Sequence, residues 1–225
     1  MGYKVSPSSL KIFENCPRCF WLQVKKKISR PSMGFPTLPG GMDKILKVHF
    51  DKFRDKGELP PELCYHKHCE DMKLFDDKEL LEEWRSNFKG VQYMDEESGV
   101  LLHGAIDNIL TKGKKLIVLD YKTRGGAVKE DTASNSQLQL DLYNFLLRKN
   151  NYDTEDYAFL LFYMPKEVKE NGGVVFDTNL EKVRINIGNG ERVFKEALDI
   201  LESEEPPEPS QKCEFCRWAK GVTSE

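Results

Sequence analysis

The stretch Gly104-Ala-Ile-Asp107-Asn-Ile-Leu110, then Thr-Lys-Gly113-Lys-Lys115, then Leu116-Ile-Val-Leu-Asp120-Tyr-Lys122-Thr123, decides the fold. Two apolar runs flank a short turn of glycine and lysines, the pattern of two paired strands. Side chains at i and i+2 share one face of a strand. Asp120 and Lys122 therefore point the same way, and Asp107 meets them from the neighbouring strand. Two acids and a lysine at one spot are costly to bury unless they hold a cation. A hard divalent cation takes oxygen ligands, and water activated by such an ion attacks phosphorus. On this reading Asp107 and Asp120 hold Mg²⁺ or Mn²⁺, the carbonyl of Tyr121 supplies a third oxygen, and Lys122 orients the water or neutralises the phosphate.

The ordered set Gly104-x-x-Asp107, Asp120-Tyr121-Lys122-Thr123 and Gln139-x-x-x-Tyr143 resembles the motifs of the PD-(D/E)XK nuclease superfamily. Its nearest branch is the RecB-like one, which includes the nuclease domains of RecB and AddB and the CRISPR-associated RecB-like exonucleases. The resemblance runs from about Cys16 to Cys216. It implies an α/β (α+β) fold with a restriction-endonuclease-like mixed sheet flanked by helices, one domain over residues 1–225 and a catalytic core over 91–165. It also implies a deoxyribonuclease acting on single strands or ends in repair, recombination or CRISPR-type processing, beside a helicase or integrase. Gln139 and Tyr143 share a helix face at i and i+4. In the resembled family the glutamine touches the catalytic neighbourhood and the tyrosine lies near the substrate. Arg124 and the Gly125–Asn135 loop are candidates for phosphate contact. The competing reading is a catalytically silent nuclease-like module that binds nucleic acid or protein. Asp107, Asp120 and Lys122 are all present, which weighs against it.

RecB-like nucleases carry a further His or Glu ligand on an upstream helix. Here the helix after Gly40-Gly41 offers His49, placed on its apolar face, with Asp43 as competitor. Neither matches the family's Gly-x-x-x-His spacing. His103, four residues before Asp107, is a further neighbour of the site.

Cys16-x-x-Cys19 and Cys213-x-x-Cys216 form matched pairs at opposite ends of the chain. Matched pairs suggest a four-thiolate metal site that joins residues 1–30 to 204–225 like a clasp. In AddB-type and CRISPR-associated nucleases, one N-terminal and three C-terminal cysteines bind a [4Fe-4S] cluster. The family position favours that cluster and the two-plus-two spacing favours Zn²⁺; the balance leans to iron–sulfur. Cys64-Tyr-His66-Lys-His68-Cys69 matches no standard metal spacing and reads as a surface segment.

Composition sets the remaining bounds. The 225 residues are 39% hydrophobic and 32% charged with net charge −3, which suits one globular domain. No apolar run is long enough to span a bilayer. Met1-Gly-Tyr-Lys-Val-Ser-Pro7 lacks the apolar core of a secretory signal, so a cytoplasmic protein with no membrane contact is the expectation. Net charge does not exclude nucleic acid, because basic clusters at Lys25–Arg30 and Lys112–Lys115 can act locally. Helices are expected from Ser6, over 42–56, 79–88, 136–149 and 192–202. Strands are expected over 91–94, 100–111, 115–123 and 157–164, with an edge hairpin at 174–176 and 181–187. Residues 31–41 read as a Pro/Gly loop and 204–210 as a linker.

Overall fold

The computed structural model describes residues 2–31, 34, 37–129 and 132–223. Parts of the expected 31–41 and 125–135 loops, namely residues 32, 33, 35, 36, 130 and 131, lie outside the described residues. In chain order the elements are β1 (Lys4–Val5), α1 (Pro7–Asn15), α2 (Pro17–Lys25), α3 (Thr37–Arg54), α4 (Pro61–Cys64), β2 (Lys73–Leu74), α5 (Lys78–Arg85), β3 (Val91–Met94), β4 (Leu101–Gly104), β5 (Asn108–Lys112), β6 (Lys115–Thr123), α6 (Gln137–Lys149), β7 (Tyr157–Val168), β8 (Val174–Arg184), α7 (Ile187–Glu202) and α8 (Glu214–Thr223). A five-stranded mixed sheet runs β2-β5-β6-β7-β8, and a small sheet runs β1-β4-β3. The β6–β7 pairing is parallel, with α6 as the crossover, and the other ladders of the large sheet are antiparallel.

Alternation along β6 sorts its side chains onto two cores. Leu116 and Val118 face α6 and α7, while Ile117, Leu119 and Tyr121 face α3 and α4. The same alternation continues through Asp120 and Lys122, so both point to the α6 side. Parallel strands buried on two faces read as continuous apolar runs, which is why β7 shows no polar alternation over Ala158–Tyr163.

Local signals explain several boundaries. Ser6 caps α1: its hydroxyl accepts from the Ser9 N–H, and the Ser6 N–H donates to Ser9 Oγ at 2.7 Å. Asp77 caps α5 by accepting from the Leu80 N–H at 3.0 Å. Gly113 turns β5 into β6 at φ +58, a region that disfavours other residues.

Four expectations are corrected. The helix expected from Met42 starts at Thr37: Pro39 lies in the first turn, where its missing N–H costs nothing. The strand expected over 100–111 is split into β4 and β5, which belong to different sheets. The edge hairpin is one long strand, β8, paired along β7. The helix expected over 192–202 starts earlier, at Ile187, as α7, and a further helix not expected from the sequence, α8, follows the linker.

The split at residues 105–107 makes Asp107 the hinge between the sheets. The Ile106 N–H donates to the Trp84 carbonyl at 2.9 Å, and Arg85 Nε donates to the Asp107 carbonyl at 2.9 Å. The C-terminal end of α5 thus satisfies the backbone where the ladder stops. Just before the hinge, a Cβ on Gly104 would stand 2.8 Å from the Tyr143 ring. Gly104→Ala is therefore expected to destabilise the fold by about 1–3 kcal/mol through overpacking. Urea denaturation reads this directly, and a midpoint equal to that of the wild type would show that Tyr143 yields freely.

Candidate active site and metal centre

Asp120 is almost wholly buried, 1% exposed, and Asp107 is half-buried beside it. Lys122 Nζ lies 2.6 Å from Asp120 Oδ2 and donates to Gln139 Oε1 at 3.0 Å. Gln139 Nε2 then donates to the Tyr143 hydroxyl at 2.8 Å. The result is a polar chain from β6 across to α6. The Tyr121 N–H donates to Asp107 Oδ2 at 3.1 Å, tying the hinge carboxylate to β6. Asp107, Gln139 and Tyr143 line a cleft of about 320 Å³ with Ser8, Lys47 and His103.

The third acid at this spot is Asp43. Lys47 Nζ lies 2.8 Å from Asp43 Oδ2 and 3.7 Å from Asp107 Oδ1, bridging α3 to the hinge. His49, expected as the extra ligand, points elsewhere. Its Nε2 lies 3.0 Å from Glu62 Oε1, and its ring packs on Phe50 and Phe53. The cause is a rotation of the helix face. The sequence pattern places Met42, Ile45, Leu46, His49 and Phe53 inward. The buried stripe is Met42, Leu46, Phe50 and Arg54, with Ile45 60% exposed. On the stripe's other flank, Asp43, Lys47 and Asp51 turn toward the hinge.

Arg54 fixes that rotation. Its guanidinium donates to the Phe75 carbonyl at 2.6 Å and to Asn108 Oδ1 at 2.5 Å, and it pairs with Asp51. Asp51 also accepts from Arg85 Nη1 at 2.8 Å. Two arginines joined through one carboxylate thus hold the residues on either side of the Asp107–Asn108 peptide. Neither arginine stands out in the sequence, because a buried arginine in an amphipathic helix looks like a surface residue. The one local signal is that Arg54 falls at i+4 from Phe50.

Burial lifts the Asp107 carboxyl, and the nearby Asp120 and Asp43 charges lift it further. Lys47 and the Tyr121 N–H oppose them, and the balance lies at about 7. Burial raises Asp120 as well, against the pull of Lys122. His103 is held below its ordinary value by burial and by Lys4, so its imidazole is neutral at the cleft wall. Three carboxylates thus face two lysines. Among the described residues, no well-angled hydrogen bond reaches Asp120 Oδ2 despite its short ion pair with Lys122. A buried carboxylate oxygen with lone pairs to spare, facing two further carboxylates, suits a hard divalent cation.

Other sequence candidates are not among the residues that line the cleft. Lys112 at the end of β5 and Lys115 at the start of β6 are paired, about 17 Å along the strand from Asp120. Lys25 is engaged by the carbonyls of Leu201 and Ser203. Arg124 closes β6 by donating its N–H to the Tyr163 carbonyl, and its Nη1 donates to Thr132 Oγ1. Cys64 is exposed, whereas Cys69 is buried in the α3–α4 core, so that segment forms no ligand set among the described residues.

The four end cysteines do converge. The Sγ atoms of Cys16, Cys19, Cys213 and Cys216 all lie within 4.8 Å of one another, with close pairs at 3.5, 3.6 and 3.8 Å. The Ser210 N–H donates to Cys16 Sγ at 3.4 Å, and Arg30 Nη2 to Cys213 Sγ at 3.9 Å. Burial pushes the Cys16 thiol up, but the Cys19 and Ser210 N–H groups and the adjoining thiols outweigh it and bring it to about 7. Such a cluster of thiols, one of them acidified, is a metal-binding arrangement.

The profile described as the PD-(D/E)XK nuclease superfamily matches residues 42–220. No curated protein matches the chain.

The raised Asp107 carboxyl has a consequence for stability. Its value in the folded chain exceeds that of an unfolded aspartate, so the folded state binds more protons between about pH 4 and 7. Without divalent ions, its contribution to stability falls as pH rises through that window and is lost above about pH 7. Asp107→Asn should remove the share of this slope that Asp107 carries and leave that of the raised Asp120. Thermal melting in EDTA from about pH 5 to 8 measures it; a wild-type curve parallel to that of the variant would refute the coupling.

Proposed function

The chain belongs to the PD-(D/E)XK nuclease superfamily, and from that premise we propose a metal-dependent deoxyribonuclease of the RecB-like branch, built as one domain over residues 1–225. The observation that carries the reading is the polar chain Asp120–Lys122–Gln139–Tyr143 facing Asp107 and Asp43 across one cleft. Asp107, Asp120 and Asp43 would hold Mg²⁺ or Mn²⁺, with the Tyr121 carbonyl as a further oxygen. The bound cation supplies Lewis-acid charge to a water nucleophile and to the phosphate. Asp43 takes the ligand role that the sequence assigns to His49.

Lys122 is the positioning cation. Held between Asp120 and Gln139, its ammonium keeps one N–H for the attacking water or a phosphate oxygen. Gln139 keeps it there and is itself anchored by Tyr143. Lys47 acts as counter-ion to Asp43 and Asp107. With those carboxylates held by a cation, Lys47 would be free to meet a phosphate. Ser6 and Ser8 at the N-terminus of α1 also line the cleft, where the positive end of the helix dipole favours an anion. Arg124 braces the loop after β6 and is a candidate contact to the strand beyond the scissile bond.

The resemblance to RecB-like nucleases supports single strands or ends as substrate, in repair, recombination or CRISPR-type processing beside a helicase or integrase. The test is cleavage of labelled single- and double-stranded DNA with Mg²⁺, Mn²⁺ or EDTA. Asp120→Ala should abolish cleavage. Lys122→Ala should lower the rate on the order of 10²–10³-fold with DNA binding retained, as expected for loss of one preorganised charged donor. Full activity in Lys122→Ala would overturn the mechanism. Binding without metal-dependent cleavage by any form would leave a silent nucleic-acid-binding module.

A further inference from the structure

We propose that the four-cysteine clasp is a mononuclear tetrahedral Zn²⁺ site, and that the [4Fe-4S] cluster implied by resemblance to AddB-type and CRISPR-associated nucleases does not fit it. The inference stands on the cysteine geometry alone and does not depend on the nuclease reading.

Sulfur spacing decides between the two. Four thiolates at about 2.3 Å from one tetrahedral ion stand about 3.8 Å from each other. The close pairs are Cys19–Cys216 at 3.5 Å, Cys19–Cys213 at 3.6 Å and Cys16–Cys216 at 3.8 Å, and no pair exceeds 4.8 Å. A cubane cluster binds each thiolate through a separate iron, so the width of its iron–sulfide core keeps the thiolates apart. Sulfurs already at the separation set by one shared ion leave no room for that core.

The local backbone repeats the same two-plus-two logic. Cys16 precedes α2 and Cys19 lies in its first turn; Cys213 precedes α8 and Cys216 lies in its first turn. The Phe20 N–H donates to the Cys16 carbonyl at 3.2 Å, and the Arg217 N–H to the Cys213 carbonyl at 3.1 Å. Two equivalent helix starts thus present two thiolates each, where the helix dipole favours negative charge. Arg30 supplies a cation on the other side, its guanidinium lying 4.8 Å over the Phe215 ring and reaching Cys213. A pair of equivalent knuckles is how a tetrahedral ion is commonly held. A one-plus-three arrangement is the pattern that the cluster-bearing relatives carry, and this chain lacks it.

The ion would join segments some 200 residues apart in sequence. Helix α2 already has a second hold on the C-terminal half, since Trp21 Nε1 donates to the Ser203 carbonyl at 3.0 Å and Lys25 to Leu201 and Ser203. Helix α8 is held differently. Among its ties are the sulfurs and the Arg30–Phe215 contact, while Trp218 and Val222 on it are exposed. Loss of the ion should therefore loosen the hold of the thiolates on α8, while Trp21 and Lys25 keep α2 docked.

The experiment is elemental analysis and visible absorption of the whole chain, purified both anaerobically and in air, with no metal added. Zinc at one per chain in both preparations, without iron, sulfide or a visible chromophore, is the expected result. Replacement by Co²⁺ should give the intense charge-transfer absorption of a tetrahedral tetrathiolate. Cys213→Ser with Cys216→Ser should lose the zinc. Asp107→Asn with Asp120→Asn should keep it, which separates this site from any ion bound in the cleft. Iron and sulfide in the anaerobic protein would overturn the proposal. So would four free thiols with no metal, or zinc lost only with the two aspartates. Should the cysteine variant fail to fold, the wild-type metal content and the Co²⁺ spectrum decide alone.

Discussion

Two carboxylates forced into one buried corner are the constraint around which this chain is built. Neither Asp107 nor Asp120 has solvent enough to ionise freely beside the other, and each is raised by burial. Everything that surrounds them answers that cost. Lys122 neutralises one from its own strand, Lys47 approaches the other from α3, and the Tyr121 N–H binds the oxygen that remains. The arrangement leaves three carboxylates facing two lysines, a deficit of positive charge that the proposed divalent cation would make good.

Holding the corner demands a rigid hinge. At residues 105–107 the chain leaves one sheet for another, and a ladder that stops in the interior leaves backbone groups to satisfy. The Trp84 carbonyl and the Arg85 guanidinium do so, while the Arg54 guanidinium holds the neighbouring Asn108 side chain. The two arginines share Asp51, so a single carboxylate on α3 coordinates helix rotation, hinge geometry and the inward turn of Asp43. Replacing either arginine by a neutral residue would leave carbonyls or Asp51 uncompensated, a cost of a few kcal/mol typical of breaking a buried charged network.

How much of this can be read from the sequence follows from the range of each interaction. The β5–β6 hairpin, its turn at Gly113 and the shared face of Asp120 and Lys122 depend on neighbours within a few residues, and a pattern of period two exposes them. The α6 glutamine and tyrosine are four residues apart and equally legible. Helix α3 is ambiguous because Met42, Leu46 and Phe50 fit a helical stripe as well as Met42, Ile45 and His49 do. The tie is broken by Arg54 reaching Phe75 and Asn108, contacts that no local pattern carries. The break between β4 and β5 is hidden for the same reason, although Gly104, pressed against Tyr143, marks its edge. The convergence of four cysteines is legible from matched spacing, but their separation, which selects the ion, is a property of the folded ends alone.

The two centres are mechanically connected. Helix α1 has its N-terminus in the cleft wall at Ser6 and Ser8 and ends at Cys16 in the clasp. Nine helical residues span about 13 Å, so one short rigid rod joins the thiolates to the rim of the carboxylate site. Leu10 and Phe13 bury its inner face in the larger core. A displacement at Cys16 therefore cannot be absorbed by bending the helix; it passes to the rim or is resisted by the core. The polar chain Lys122–Gln139–Tyr143 rests on α6, which packs against α1 as well. The four cysteines and the paired carboxylates, far apart in sequence, thus both bear on the wall that α1 and α6 form.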